Sequence, residues 1–109
     1  MDKQKLDAIY DRFIEVWGEE SQIQMCIEEM SELTKELCKL IRFQKRPKSE
    51  ENNKAIEKIK KNIVEETADV LNCAEQVRRI FGEEEVDEIR KDKLEKTIRR
   101  LEKEVGSDT

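Results

Sequence analysis

Histidine is absent from the chain, and its absence excludes several kinds of site at once. Histidine supplies the base of most serine and cysteine nucleophile triads and at least one ligand of many zinc sites. It also belongs to the Glu-x-x-His motif that holds the metal pair in carboxylate di-iron bundles. The sequence therefore excludes His-based triads, His-containing zinc sites and di-iron centres of that type.

Cysteine is scarce, and its spacing does not indicate a metal or redox motif. Three cysteines occur, Cys26, Cys38 and Cys73, and no two of them form a CxxC pair. The number is odd, and two of the three fall on apolar helical stripes. We therefore predict reduced thiols with a structural role.

Long hydrophobic runs are also absent. No stretch approaches the roughly 18 apolar residues of a membrane-spanning helix, and the N-terminal MDKQKLDAIY lacks the apolar segment of a signal peptide. We therefore predict a cytoplasmic protein that does not bind membranes. The net charge is -5 with acids and bases interleaved. Without a basic patch, the sequence does not indicate a nucleic-acid partner.

The hydrophobic residues are few but regularly spaced. They make up 36 % of the chain, against 45 % for charged residues, yet their periodicity argues against disorder. A length of 109 residues predicts a single domain, 1–109. Because long helices with narrow apolar stripes bury little surface alone, we expect a homodimer or homotetramer to complete the core.

Glycine and proline are rare, and each marks a predicted break between helices. Gly18 and Gly82 follow periodic apolar segments, where glycine often ends a helix. The segment 45–52 holds the only proline and no apolar side chain, which predicts a loop. The periodicity predicts an all-α four-helix bundle with a long antiparallel helical hairpin and no strand. The predicted helices are 3–17, 19 to 43 or 44, 53–81 and 83–104, followed by a frayed tail at 105–109.

The third predicted helix carries a carboxylate in its apolar stripe. Read every three or four residues, the stripe runs Ile56, Ile59, Ile63, Glu66, Val70, Cys73, Val77 and Ile80. Seven of these eight positions are apolar, which is typical of a helix packed against a partner. A buried charge is unfavourable unless it is paired or binds a metal. Glu66 therefore indicates a metal site.

Three further acids can lie beside Glu66 if the second and third helices form an antiparallel hairpin. Glu29 and Glu32 on one arm, and Glu66 and Asp69 on the other, average to the same distance from a loop centre near residue 49. Each pair is spaced i, i+3, so its carboxylates share a helix face. An all-oxygen site of this kind suits Mg²⁺ or Mn²⁺ and points to phosphoryl or pyrophosphoryl chemistry. The alternative is two pairs of solvated surface acids.

The two acidic motifs resemble those of a known family. EExxE at 28–32 and EExxD at 65–69 are similar to the motifs of MazG-like all-α nucleoside triphosphate pyrophosphohydrolases. WGEESQ at 17–22 resembles the WGxxxQ lead-in of short, often phage-type, members, and DVL at 69–71 matches the family's DVL segment. The gap between the acidic motifs is longer than in many members, but both arms of a hairpin lengthen together. The resemblance covers about residues 12–101.

The resemblance implies hydrolysis of a nucleoside triphosphate between the α and β phosphates, giving the monophosphate and pyrophosphate. It implies Mg²⁺ held by Glu29, Glu32, Glu66 and Asp69. It also implies a water activated by Glu28 or Glu65, although either acid is alternatively a salt-bridged surface residue. The candidates for substrate contact are Lys93, Lys96, Arg100, Asn72, Trp17 and Gln22. For the three cations the alternative is a solvated face, for Asn72 polar packing, and for Trp17 a core or interface role.

Two other functions fit the same sequence. One is a non-enzymatic helical oligomerisation or regulatory module, in which the acids form salt bridges. The other is an enzyme of the same superfamily that acts on a modified nucleotide such as phosphoribosyl-ATP. The first lacks the metal site, and the second differs in its base pocket, which the sequence does not specify.

Overall fold

Four helices form the part of the chain that the structure, a computed structural model, describes, which is residues 1–106. They are α1 (Lys3–Trp17), α2 (Glu19–Gln44), α3 (Glu50–Phe81) and α4 (Glu83–Gly106). The all-helical class is confirmed for these residues. Of the tail predicted at 105–109, the first two residues belong to α4, and 107–109 lie outside the described residues.

A single glycine both ends α1 and begins α2. Gly18 has φ 85°, a backbone conformation that residues with a Cβ rarely adopt. Its N–H donates to the Ile14 carbonyl at 2.8 Å, and its own carbonyl accepts from the Gln22 N–H at 3.2 Å. The turn at Gly82, with φ 131°, separates α3 from α4 in a similar way. Both glycine breaks were predicted from the sequence.

Helix α3 begins three residues earlier than the predicted position 53, and a serine cap explains the difference. The Ser49 hydroxyl accepts a hydrogen bond from the Asn52 N–H at 3.0 Å, and the Ser49 carbonyl accepts from the Asn53 N–H at 2.9 Å. The Asn52 side chain also donates to the Pro47 carbonyl at 2.7 Å. Serine is among the preferred residues at this position because its hydroxyl satisfies a free backbone donor.

The described chain separates into two compact units, Met1–Val77 and the segment from Arg78 onward. In the first unit α1 packs on α2, and three aromatic rings of α1 form a row. The Phe13 and Trp17 rings are stacked with centroids 5.1 Å apart, and Tyr10 meets Phe13 edge-on at 6.2 Å. The prediction that residues 1–109 form one domain stays a prediction.

The predicted apolar stripe of α3 is confirmed, since each of its eight residues is buried or half-buried. The apolar periodicity of α2 predicts a second inward stripe, made of Ile23, Cys26, Met30, Leu33, Leu37 and Leu40, and this prediction is only partly correct. Its inward face carries Gln22, Cys26, Glu29, Leu33 and Glu36, so Met30 and Leu37, which were expected inside, are exposed. Polar residues thus occupy positions that a simple hydrophobic pattern assigns to the core.

The second unit is held together locally by ion pairs around the Gly82 turn. Arg78 donates two hydrogen bonds to the Asp87 carboxylate, at 2.8 and 2.6 Å, which is the bidentate geometry that arginine favours. Arg79 and Glu83 form a further pair at 3.6 Å. Within the described residues, no helix is both long and apolar enough to cross a membrane.

Candidate metal centre and adjoining pocket

Three acids from two helices converge on one point. Glu29 of α2 and Glu66 and Asp69 of α3 each offer a carboxylate oxygen, and these oxygens lie within 4.8 Å of one another. Glu29 and Glu66 are half-buried and Asp69 is exposed, so the cluster opens toward solvent on one side. Of the four acids that the hairpin register predicts at one level, three therefore lie together.

Glu32, the fourth predicted ligand, lies outside this cluster and is exposed. The reason is the orientation of α2, whose inward face is centred on the line through Gln22, Cys26 and Glu29. One helical residue step rotates a side chain by about 100°, so Glu32 falls at the edge of that face. A role for Glu32 in binding metal stays a prediction.

The electrostatics of the cluster indicate an unbalanced negative charge. Partial burial, followed by the charges of Asp69 and Glu66, raises the pKa of Glu29 above its ordinary value. The Oε2 atom of Glu66 is buried without a hydrogen-bond partner. A buried acceptor without a partner is unfavourable, and a divalent cation would relieve both this cost and the repulsion.

A cavity of about 200 Å³ adjoins the acids in the first unit. Its wall includes two of the three acids, Glu29 and Asp69. It also includes three of the residues predicted to contact substrate, Trp17, Gln22 and Asn72. The remaining lining residues are Tyr10, Phe13, Met25, Cys73 and Gln76. The cavity therefore combines carboxylates, aromatic rings and amide groups around one space.

One amide in this cavity is oriented by a tyrosine. The Tyr10 hydroxyl donates a hydrogen bond to Oδ1 of Asn72 at 3.1 Å, joining α1 to α3. Because Oδ1 is engaged, the amide nitrogen of Asn72 is the group that remains to donate to a bound molecule. The substrate role predicted for Asn72 stays a prediction, and the sequence did not indicate the hydrogen bond from Tyr10.

Two further amides lie deep in the same cavity. Gln22 is 3 % exposed and Gln76 is 2 % exposed, and neither has a partner for its Nε2 atom; Oε1 of Gln76 also lacks one. Gln76 was not predicted, although the sequence holds a signal for it. Gln22 precedes Glu29 by seven residues and Gln76 follows Asp69 by seven, so the hairpin register brings the two glutamines to one level.

Two cysteines occupy the level between the glutamines and the acids. Cys26 of α2 and Cys73 of α3 are free thiols, both buried, and the Cys73 thiol donates a hydrogen bond to the Val70 carbonyl at 3.3 Å. Burial, the neighbouring Cys26 and the charge of Glu29 together raise the pKa of Cys73 to about 12. Such a thiol stays protonated at neutral pH, in accord with the predicted structural role.

The other predicted site residues are exposed. Glu28 and Glu65 precede the cluster acids Glu29 and Glu66 in the chain and lie on solvent-facing sides of α2 and α3. Lys93, Lys96 and Arg100 are exposed on α4 in the second unit. The catalytic and phosphate-binding roles of these five residues stay predictions.

Comparisons with protein-family models, with curated proteins and with solved structures give no match to this chain. The likeness to MazG-like enzymes therefore depends on the acidic motifs and their neighbours in the sequence.

Proposed function

We propose that the protein hydrolyses a nucleoside triphosphate, in a Mg²⁺-dependent reaction, to the monophosphate and pyrophosphate. The observation that carries this proposal is a pocket whose wall combines carboxylates, placed closely enough to hold a cation together, with aromatic and amide side chains. Glu29 and Asp69 belong both to the acid cluster and to the cavity that contains Trp17 and Asn72. A nucleotide needs both kinds of surface, a cation for its phosphates and a platform for its base.

The donor set fits Mg²⁺ or Mn²⁺ better than a softer metal. Three carboxylates with no histidine, and with the neighbouring Cys73 thiol protonated, form an all-oxygen site. Magnesium commonly binds through a few carboxylates and shares its remaining positions with water and substrate phosphates. When bound, the cation would neutralise the triphosphate and polarise the phosphorus that is attacked.

The chain's own residues would position the substrate and the attacking water. Trp17 presents an aromatic surface for the base, and Asn72, fixed by Tyr10, donates a hydrogen bond into the cavity. Glu28 and Glu65 are both exposed next to a cluster acid and are equal candidates for activating water. In the second unit, Lys93, Lys96 and Arg100 are the candidates for phosphate contacts, since exposed cations can bind phosphate oxygens.

Oligomerisation, as in a MazG-like bundle, is part of the proposal. An apolar stripe on α2, made of Ile27, Met30, Leu37 and Ile41, is exposed. Only Cys26, Ile59 and Cys73 are buried among the hydrophobic residues of the described chain. So small a core favours a homodimer or homotetramer, because a second copy would cover the exposed stripe. The cytoplasmic location predicted from the sequence stays a prediction.

The direct test is release of pyrophosphate from a panel of common and modified nucleoside triphosphates, including phosphoribosyl-ATP, with Mg²⁺ and with EDTA. We expect turnover that requires the cation and is lost in Glu66→Gln, which keeps the shape of the side chain but removes its charge. The matched control is Glu57→Gln, the same change at an exposed position of α3.

If no triphosphate is hydrolysed, and if millimolar Mg²⁺ or Mn²⁺ does not raise the melting temperature of the wild-type protein, the acids do not form a metal site. The protein would then be better described as a helical oligomerisation or regulatory module. A shift in melting temperature that Glu66→Gln abolishes would retain the metal site even without the right substrate in the panel.

A further inference from the structure

The exposed apolar stripe of α2 belongs to a longer row with the spacing of a coiled-coil seam. Successive members of the row are four, three, four, three and four residues apart, and alternating steps of this kind let one helix pack along another. All members are exposed except the first, which is half-buried, so the seam is open to a second helix. We call this set the α2 row, and it consists of Ile23, Ile27, Met30, Thr34, Leu37 and Ile41.

The one polar member of the α2 row keeps its hydrogen bond when the row is covered. The Thr34 hydroxyl donates to the Met30 carbonyl at 2.8 Å, and the neighbouring Ser31 hydroxyl donates to the Ile27 carbonyl at 2.9 Å. Both donors are satisfied within α2 itself, so burying them does not leave a hydroxyl proton without a partner. The row is therefore suited to burial over its whole length.

The α2 row lies on the side of the hairpin away from the cavity. Ile27 follows the inward-facing Cys26 by one position, a rotation of about 100°, whereas the cavity residue Met25 precedes Cys26 by one position. On α3, Val64 and Leu71 each follow a residue of the inward stripe in the same way. Because α3 runs antiparallel to α2, this rotation brings them to the side that carries the α2 row. The cavity stays open when that side is covered.

The area of this apolar face suits a dimer. Six large hydrophobic side chains on it each leave between 43 % and 70 % of their surface uncovered. Together they expose on the order of 600 Å² per chain, so two copies would bury about 1,200 Å², the lower end of the range for stable interfaces. The six side chains are those of Ile27, Met30, Leu37, Ile41, Val64 and Leu71.

The spacing of the α2 row is the same when it is read from either end. Two copies of α2 that run antiparallel therefore bring every member of the row opposite another member. Each facing pair occurs twice around a two-fold axis at the level of residue 32, as an interface between identical chains requires. The facing pairs are Ile23 with the partner's Ile41, Ile27 with the partner's Leu37, and Met30 with the partner's Thr34.

The charges beside the row favour antiparallel over parallel pairing. Glu28 and Lys35 are exposed beside the row, on either side of its midpoint. In the antiparallel arrangement, Glu28 lies within about 1.5 Å of the level of the partner's Lys35, measured along the helix. Glu20 lies within about 3 Å of the level of the partner's Arg42 in the same sense. A parallel arrangement would instead set each of these charges against its own copy, and like charges across an interface are unfavourable.

We propose that the protein forms a homodimer in which α2 packs antiparallel on α2 of the partner, with the two-fold axis between Met30 and Thr34. Val64 and Leu71 extend the interface on α3. The acid cluster and cavity of each chain lie away from the interface, so each chain carries a complete candidate site. This interface depends on the homo-oligomer of the proposed function and not on the reaction.

Sedimentation of the full-length chain at micromolar concentrations should show a dimer. Leu37→Glu places a charge in the seam and should raise the dissociation constant of the dimer at least about 100-fold, since a charge buried without a partner is unfavourable. The matched control is Leu94→Glu, the same change at an exposed leucine of α4, which should leave the dimer intact. Circular dichroism of both variants should show that the helices are retained.

A charge exchange tests the antiparallel arrangement in a second way. Lys35→Glu sets two acids opposite each other in the dimer and should weaken it about 10-fold, because an attraction is replaced by a repulsion on both sides of the axis. Adding Glu28→Lys to the same chain restores opposite charges and should restore the dissociation constant.

Disulfide cross-linking tests the register. Ile27→Cys and Leu37→Cys are made separately in a Cys38→Ser chain, mixed while reduced, and then oxidised with oxidised glutathione. Only the mixed pair should cross-link, because a residue 27 and its own copy are ten residues, or about 15 Å, apart along the axis, beyond the reach of a disulfide. Parallel pairing would instead cross-link each variant with itself.

A mixed cross-linked dimer that Leu37→Glu dissociates supports this interface whether or not any nucleotide is hydrolysed. A chain that stays monomeric at these concentrations overturns it, and so does a dimer that Leu37→Glu leaves intact. Cross-linking of each single-cysteine variant with itself, without the mixed product, also overturns it. Turnover by a protein that is monomeric in sedimentation overturns the interface and leaves the proposed reaction standing.

Discussion

Replacing Glu66 by leucine is expected to stabilise the protein in the absence of metal. Glu66 sits in the apolar stripe of α3, half-buried, with one carboxylate oxygen buried and unpartnered. It faces Glu29 and Asp69, and one carboxylate oxygen of each of the three residues lies within 4.8 Å of the other two. Leucine would remove the repulsion, remove the unpartnered acceptor and add apolar contacts along the stripe.

The size of the effect follows from Coulomb's law. Two unit charges 4.8 Å apart repel by about 3.5 kcal/mol at an effective dielectric constant of about 20, and by about 0.9 kcal/mol at about 80. Because the site is open on one side, screening brings each repulsion toward the lower value. Replacing Glu66 removes its repulsion with Glu29 and with Asp69, so we expect the free energy of unfolding to rise by about 1–3 kcal/mol. For a domain of this size that corresponds to a rise in melting temperature of about 5–15 °C.

The assay is thermal unfolding in EDTA, followed by circular dichroism at a fixed protein concentration. The control is Glu65→Leu, the same change at the neighbouring exposed position, which should not raise the melting temperature. Adding Mg²⁺ should stabilise the wild type by mass action and leave Glu66→Leu unchanged. A lower melting temperature for Glu66→Leu in EDTA would refute the reasoning, because it would show that Glu66 is solvated and not repelled by its neighbours.

Three other predictions concern the same region. Asp69→Asn should abolish turnover while leaving the helical circular dichroism signal intact, and surviving activity would show that Asp69 is not a ligand. Native protein should react rapidly with a thiol reagent at one cysteine, the exposed Cys38, because Cys26 and Cys73 are buried and the pKa of Cys73 is raised to about 12. Cys38→Ser should remove the fast phase of the reaction. Rapid reaction of two thiols would contradict the burial of Cys26 and Cys73. Burial and the charges of Asp69 and Glu66 raise the pKa of Glu29, so the folded state holds this proton more tightly and loses stability as the pH rises through that pKa. In EDTA, Glu29→Gln should therefore have a higher melting temperature than wild type, and the difference should be larger at about pH 7 than at about pH 5. Equal differences at the two pH values would contradict the raised pKa of Glu29.

The helices and their breaks were predictable because they depend on local rules. Apolar periodicity placed α1 to α4, and Gly18 and Gly82 marked two of the three breaks. The start of α3 was missed by three residues because the Ser49 cap is a short polar signal within a polar loop. Local signals of this kind determine where the helices of a protein begin and end, even when its hydrophobic core is small.

The acid cluster was predictable in part. One of its acids interrupts the apolar stripe of α3, and an antiparallel hairpin places residues at equal distances from its loop side by side. Glu66 stood out in an apolar stripe, and the register then indicated Glu29 and Asp69. The facing surface of α2 was harder, because Gln22, Glu29 and Glu36 share the inward side with Cys26 and Leu33. Binary patterning assigns polar residues to the surface, so it placed Met30 inside and overlooked the depth of Gln22.

Polar residues inside so small a core have a thermodynamic consequence. Gln22, Glu36 and Gln76 are as buried as the three buried hydrophobic residues, and each carries a polar atom without a partner. Natural proteins depart from the hydrophobic pattern mainly at functional sites, where a ligand recovers the lost interactions. A cation at the acid cluster would recover such interactions for Glu66. The free energy of unfolding should therefore depend on ligand concentration more strongly than that of a conventionally packed bundle. It should also depend on protein concentration, because a second copy would cover the exposed apolar stripe of α2.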